Sequence, residues 1–122
     1  MGTAKPRLVT PEQADSFRRD GFVVIPDLLS PEELVTFGTA VSNAVVQRKR
    51  EDRRRLEHKS RYEQSFIQCQ NLWEDFPEVK PLTFHPRLGQ AAAELLGGPA
   101  VRIWHDQALF KEPGGRETDL HQ

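Results

Sequence analysis

The sequence has a single cysteine, Cys69, among 122 residues. One thiol cannot close an internal disulfide, which excludes a disulfide-stapled scaffold and points to a reducing compartment. Neither sign of charge is in excess: seventeen Lys and Arg against eighteen Asp and Glu leave a net charge of −1. Proteins devoted to nucleic acid or to anionic membranes usually carry a lopsided charge. There is no apolar run long enough to span a bilayer and no internal repeat. The opening Met1-Gly2-Thr3-Ala4-Lys5-Pro6 lacks the apolar segment of a signal peptide, and Pro6 stands where a myristoylation motif has Ser or Thr. These absences predict a soluble cytoplasmic protein with no membrane and no nucleic-acid partner, and they leave its oligomeric state open.

What is present suffices for one domain. At 37% hydrophobic and 29% charged, a chain of this length can bury roughly two-thirds of its extended surface. Thr10-Pro11-Glu12-Gln13 reads as an N-cap, a proline at the first helical position and a capping-box Gln, predicting a helix to about Asp20 with Gly21 as its stop. Phe22-Val23-Val24-Ile25 predicts a short apolar strand ended by Pro26. Ser30-Pro31-Glu32-Glu33 repeats the start signal. Behind it Leu34, Phe37, Val41, Ala44 and Val45 step by three and four, the stripe of an amphipathic helix. Past Arg48 the stripe gives way to charge, and Glu51 with Arg55 at i,i+4 lets the helix extend into solvent. A second strand is expected at Ser65-Phe66-Ile67-Gln68-Cys69, followed by a turn-rich passage. His85-Pro86 then opens a third long helix whose stripe, Leu88, Ala91, Ala92, Leu95 and Leu96, ends at Gly97-Gly98. An extended stretch over 100–111 puts Val101, Ile103, His105, Gln107, Leu109 and Lys111 on one face. Helices first and strands after predict an α+β fold with few strands.

Few residues stand out chemically by themselves. Lys111 shares a face with aliphatics, so its ammonium either snorkels out at the strand end or meets an anion. Gln107, on that face, can orient a ligand or satisfy a backbone amide. His121 is one residue from the end of the sequence, where a histidine is ordinarily solvated. The run from Arg48 to Arg55 holds six cations and two anions, and as a helix it offers a binding module for phosphates or protein; it lacks interleaved aromatics for base stacking, and a solvated face is the plainer account. Cys69 reads as a small buried side chain.

Several segments together resemble the N-terminal half of the phytanoyl-CoA dioxygenase family. They are Gly21-Phe22-Val23-Val24-Ile25-Pro26 with Leu28-Leu29-Ser30, Asn71-Leu72-Trp73, His85-Pro86-Arg87-Leu88-Gly89 through Leu95-Leu96-Gly97, and Arg102-Ile103-Trp104-His105-Asp106-Gln107 through Lys111-Glu112-Pro113-Gly114-Gly115. The resemblance implies a non-haem Fe(II), 2-oxoglutarate-dependent dioxygenase that hydroxylates a small molecule or acyl thioester with O2, decarboxylating 2-oxoglutarate to succinate. It implies a double-stranded β-helix, a jelly roll with the helices packed outside, of which these residues supply the helices and first strands. It implies His121 as the first ligand of a two-His, one-carboxylate iron site, Lys111 as a contact for 2-oxoglutarate, Gln107 as a cofactor or substrate contact, and Asn71 and Trp73 as walls of the substrate pocket. No acid, base or nucleophile is assigned. The expected organisation is a disordered lead-in over 1–9 and the N-terminal portion of one dioxygenase domain over 10–122, truncated within the His-X-Asp motif and inactive by itself. The competing expectations are the basic binding module and a noncatalytic relative of the family.

Overall fold

The computed structural model describes residues 5–115 and 117. Helix α1 (Pro11–Asp20) starts with the capping box its sequence spells: Thr10 Oγ1 accepts from the Gln13 N–H at 3.1 Å while Gln13 Oε1 accepts from the Thr10 N–H at 2.9 Å. Helix α2 (Pro31–Glu51) starts likewise, with Ser30 and Glu33 exchanging bonds of 3.1 and 3.0 Å. A 3-10 turn (Leu56–His58) and helix α3 (Arg61–Ser65) lead into strand β1 (Phe66–Gln70). Short helices α4 (Leu72–Asp75) and α5 (Lys80–Thr83) precede α6 (Pro86–Leu96), which stops at Gly97 in the left-handed conformation, φ 72°. Strand β2 (Gln107–Lys111) closes the series. The two strands pair antiparallel, with Phe66 opposite Lys111, Cys69 opposite Ala108 and Gln70 opposite Gln107. Six helices beside a two-stranded sheet, among the described residues, make an α+β architecture.

Three expectations are corrected. Phe22-Val23-Val24-Ile25 enters no ladder among the described residues: Ile25 turns into the core while Phe22 and Val24 face outward. The stretch over 100–111 is a ladder strand only from Gln107, and Trp104 before it is 92% exposed. The basic run is not one helix. Asp52 ends α2 because its carboxylate accepts from the Arg54 N–H at 3.2 Å and from the Arg54 guanidinium at 3.0 and 2.9 Å, a local turn that competes with the helical ladder. Arg54 also pairs with Glu63 at 2.9 Å, and Arg55, which lies beyond the end of α2, pairs with Glu57 at 3.7 Å in place of the expected i,i+4 partner Glu51. Its two acidic partners raise the Arg54 pKa, and the Arg54 bonds hold Asp52 well below the carboxylate range.

The core is in two clusters. Ala44 and Val45 of α2 meet Cys69, Leu72 and Val79. Separately, Val9, Ala14 and Ala91 gather with Ile25, Leu28 and Leu95. Packed structure begins within the expected lead-in: Glu94 of α6 accepts from the Leu8 N–H at 3.0 Å and the Val9 N–H at 2.8 Å. Beside the first cluster lies a mainly apolar hollow of about 330 Å³, walled by Val41, Leu72, Val79, Leu82, Leu88 and Ile103, with Thr83, Asp106 and Gln107 also lining it.

Candidate functional site

Helix α2 packs on one face of the sheet at Ile67, Cys69 and Ala108, while Phe110 further along that face is 41% exposed. Cys69 and Ala108, paired across the strands, point into the α2 cluster together with Ile67. The face toward the helices is therefore the one carrying Ala108. Leu109, which alternation had grouped with the aliphatics of an inner face, is 47% exposed on the other side. Gln107, Leu109 and Lys111 line this open face with Gln70, Gln68 and Phe66 opposite them. Gln107 and Lys111 are four residues apart, about 13 Å along the strand.

The Lys111 ammonium lies 5.9 Å from the centre of the Phe66 ring, and Tyr62 of α3 stacks on that ring at 4.8 Å. No carboxylate among the described residues pairs with Lys111. Its neighbour Glu112 points to the helix side, where Lys49 of α2 binds its carboxylate at 3.2 Å. The loop that follows is fixed against α3: the Glu112 N–H donates to the Ser65 carbonyl at 2.8 Å. A Cβ on Gly115 would come within 2.9 Å of the carbonyl oxygens of Glu112 and Ser65, so only glycine fits there.

Asn71 stands at the other end of the sheet, in the left-handed region at φ 51°, a conformation asparagine tolerates better than most residues. Its N–H donates to the Asp106 carbonyl at 3.1 Å, and its Oδ1 accepts from the Asp106 N–H at 3.3 Å. The Asp106 carboxylate in turn accepts from the Leu72 N–H at 3.1 Å and the Thr83 hydroxyl at 2.7 Å. This clasp fixes the start of β2 to α4 and α5. Asn71 thus bears on the open face indirectly, by setting where Gln107 begins. Trp73 faces the helical layer, edge-on to Phe84 at 5.0 Å, with its indole N–H buried and unpaired among the described residues. Sequence reasoning gave Asp106 no role. The signal available to it was a lone acid beside the strand whose partners lie 34 and 23 residues away, a separation that periodicity does not register.

A second polar node joins α2 to α6. The Glu33 carboxylate, already bonded to the Ser30 N–H, takes His85 Nε2 at 2.5 Å and the Arg87 guanidinium. The Arg87 N–H donates to His85 Nδ1 at 3.1 Å, so Nε2 bears the hydrogen that meets Glu33 when the ring is neutral. The Ser30 amide first, then His85 and Arg87, hold the Glu33 carboxyl at about 2, against an ordinary 4.5. A carboxylate with a depressed pKa contributes stability above its unfolded value and loses it as pH falls toward the folded one. Glu33→Gln, which keeps the capping geometry, is expected to lower Tm by a few degrees at neutral pH. It should also flatten the loss of Tm between pH 4.5 and 2, as scanning calorimetry across that range would read.

Cys69 is buried in the α2 cluster, and burial pushes its thiol pKa up, which suits a packing role. His121 lies outside the described residues. Among those described, no three His, Cys, Asp or Glu side chains converge on a possible metal position, and no helix is long and apolar enough to cross a membrane. The described residues therefore supply no iron-binding set. Lys111 is an exposed strand cation with no ion-pair partner among the described residues.

Comparison with known proteins decides the lineage. The family model described as phytanoyl-CoA dioxygenase matches residues 17–122. The chain belongs to the phytanoyl-CoA dioxygenase family. No curated protein and no solved structure matches it. As a member of the phytanoyl-CoA dioxygenase family, it is of oxygenase type, and both the Asp106 clasp and the open face fall inside the matched span.

Proposed function

We propose that this chain forms part of a non-haem Fe(II), 2-oxoglutarate-dependent dioxygenase, with Lys111 receiving a carboxylate of 2-oxoglutarate. The observation that carries the reading is the placing of Lys111: helix α2 packs on the face of Cys69 and Ala108, and Lys111 stands exposed on the opposite face. In a jelly roll with its helices outside, that open face would be the interior where a cosubstrate lies. The cation there has no acid of its own among the described residues, while Glu112 is drawn to Lys49 on the far side. Gln107, about 13 Å away on the same face, would meet the substrate end of the pocket rather than the same carboxylate. Asn71 acts on that pocket through Asp106, and Trp73 through packing on Phe84. His121 would supply one iron ligand; bound iron would couple O2 to decarboxylation of the keto acid and oxidation of a small molecule or acyl thioester. The residues of this chain bind and orient the keto acid.

Iron-dependent conversion of 2-oxoglutarate to succinate tests the reading, on the 122-residue chain and on any in-frame extension carrying further ligands. Succinate from the extended chain, lost when iron is chelated, is the expected result; none from either chain under any iron loading would refute it. Lys111→Met should weaken 2-oxoglutarate binding about tenfold, the low end of what a hydrogen bond to a charged group contributes. Isothermal titration would show an unchanged affinity if Lys111 were only a solvated lysine.

A further inference from the structure

We infer that Phe66, backed by Tyr62, is a positioning residue for Lys111, holding on the sheet face opposite α2 an ammonium that no acid among the described residues neutralises. The inference rests on the reading of Lys111 as the carboxylate contact. Four observations converge on it. Phe66 and Lys111 are directly opposed in the antiparallel register, so their side chains leave the sheet on the same side. The ammonium lies 5.9 Å from the ring centre, inside the range of cation–π attraction. Phe66 itself is 7% exposed, and Tyr62 stacks on its ring at an interplanar angle of 27°. The acid next in sequence, Glu112, is bound by Lys49 across the sheet.

The physical consequence is specific. A lysine carries four rotatable side-chain bonds and loses their freedom when it grips a ligand. An aromatic face restrains the ammonium without neutralising it, which a carboxylate partner would do. The restraint is therefore compatible with binding a dianion, and the ligand meets a cation whose position is already narrowed. Tyr62 lies at the surface of α3 and keeps the Phe66 ring from turning away from Lys111.

The test uses the 122-residue chain with isotope-labelled lysine. Its lysines are Lys5, Lys49, Lys59, Lys80 and Lys111, and Lys111→Arg assigns the relevant signal. Over an aromatic face the Lys111 ε-methylene protons should resonate upfield of the others. Phe66→Leu, which keeps an apolar side chain in the buried site, should abolish that displacement. It should also weaken 2-oxoglutarate, titrated against the same signal, by about two- to fivefold, the worth of an exposed cation–π contact. Phe66→Tyr should restore both, and the milder Tyr62→Leu should reduce both partly while the fold is retained. If Phe66→Leu leaves the signal and the 2-oxoglutarate midpoint unchanged while Lys111→Met weakens binding, Phe66 has no positioning role and Lys111 stands. If Lys111→Met leaves binding unchanged, the reading of Lys111 falls first and the positioning role with it.

Discussion

Leu72→Ala is expected to lower the free energy of unfolding by about 2–3 kcal/mol. Leu72 is 2% exposed and sits where α2, β1 and α5 meet, against Val45, Cys69 and Val79. Removing its isobutyl group takes away apolar burial and opens a void. The cost falls in the lower part of the usual 2–5 kcal/mol range because the adjoining hollow lets the neighbours relax into the space. Since a domain of this size is stable by only about 5–15 kcal/mol, the loss is a large share of the total. Chemical denaturation with an unchanged m-value should report it. Leu34→Ala, at an exposed position of α2, should change the free energy of unfolding by less than about 0.5 kcal/mol. Equal effects at both positions would mean that the α2 cluster is not the core.

Asp106→Ala is expected to cost about 1–3 kcal/mol, for a different reason. It leaves the Leu72 N–H and the Thr83 hydroxyl without the carboxylate that takes both, and half-buried donors without acceptors carry their desolvation penalty uncompensated. Asp106→Asn should cost less, since the amide oxygen can still accept from Leu72. The bonds of Asn71 to the Asp106 backbone, one from its N–H and one at its Oδ1, survive either substitution, so β2 stays paired while α4 and α5 loosen. Amide exchange should therefore speed up at Leu72 and Thr83 more than at Cys69, which lies within the ladder. Uniform acceleration across all three would place the effect in global stability and remove the clasp as its cause.

The helices were legible because their information is local. Thr10 with Gln13, Ser30 with Glu33, and His85-Pro86 with Gly97 each mark a boundary within four residues of the bond or the left-handed turn that makes it. The family was legible too, from an ordered set of short segments spread along the chain. The strands were less so, since a strand exists only by its partner. Phe22 to Ile25 has the composition of one and no neighbour among the described residues, whereas Phe66 to Gln70 gains Gln107 to Lys111 from forty residues away. Which face of β2 turns inward could not be read from alternation, because Ala108 and Leu109 are both apolar and only the position of α2 chooses between them. The same holds for the basic run: the charges favour a continued helix, and a single carboxylate at Asp52 redirects it. Of the site, Lys111 and Asn71 were legible as residues of interest. Their partners, Phe66 and Asp106, were invisible, since each contact joins separate parts of the chain.

The division of the apolar interior has a consequence for how the molecule opens. Val9, Ala14 and Ala91 form one cluster, and Ala44, Val45, Cys69, Leu72 and Val79 another. The Glu33 carboxylate ties α2, from the second of these, to α6, from the first, through His85 and Arg87. Acid, which removes the Glu33 charge, is therefore expected to weaken the tie between the clusters while leaving the packing within each untouched.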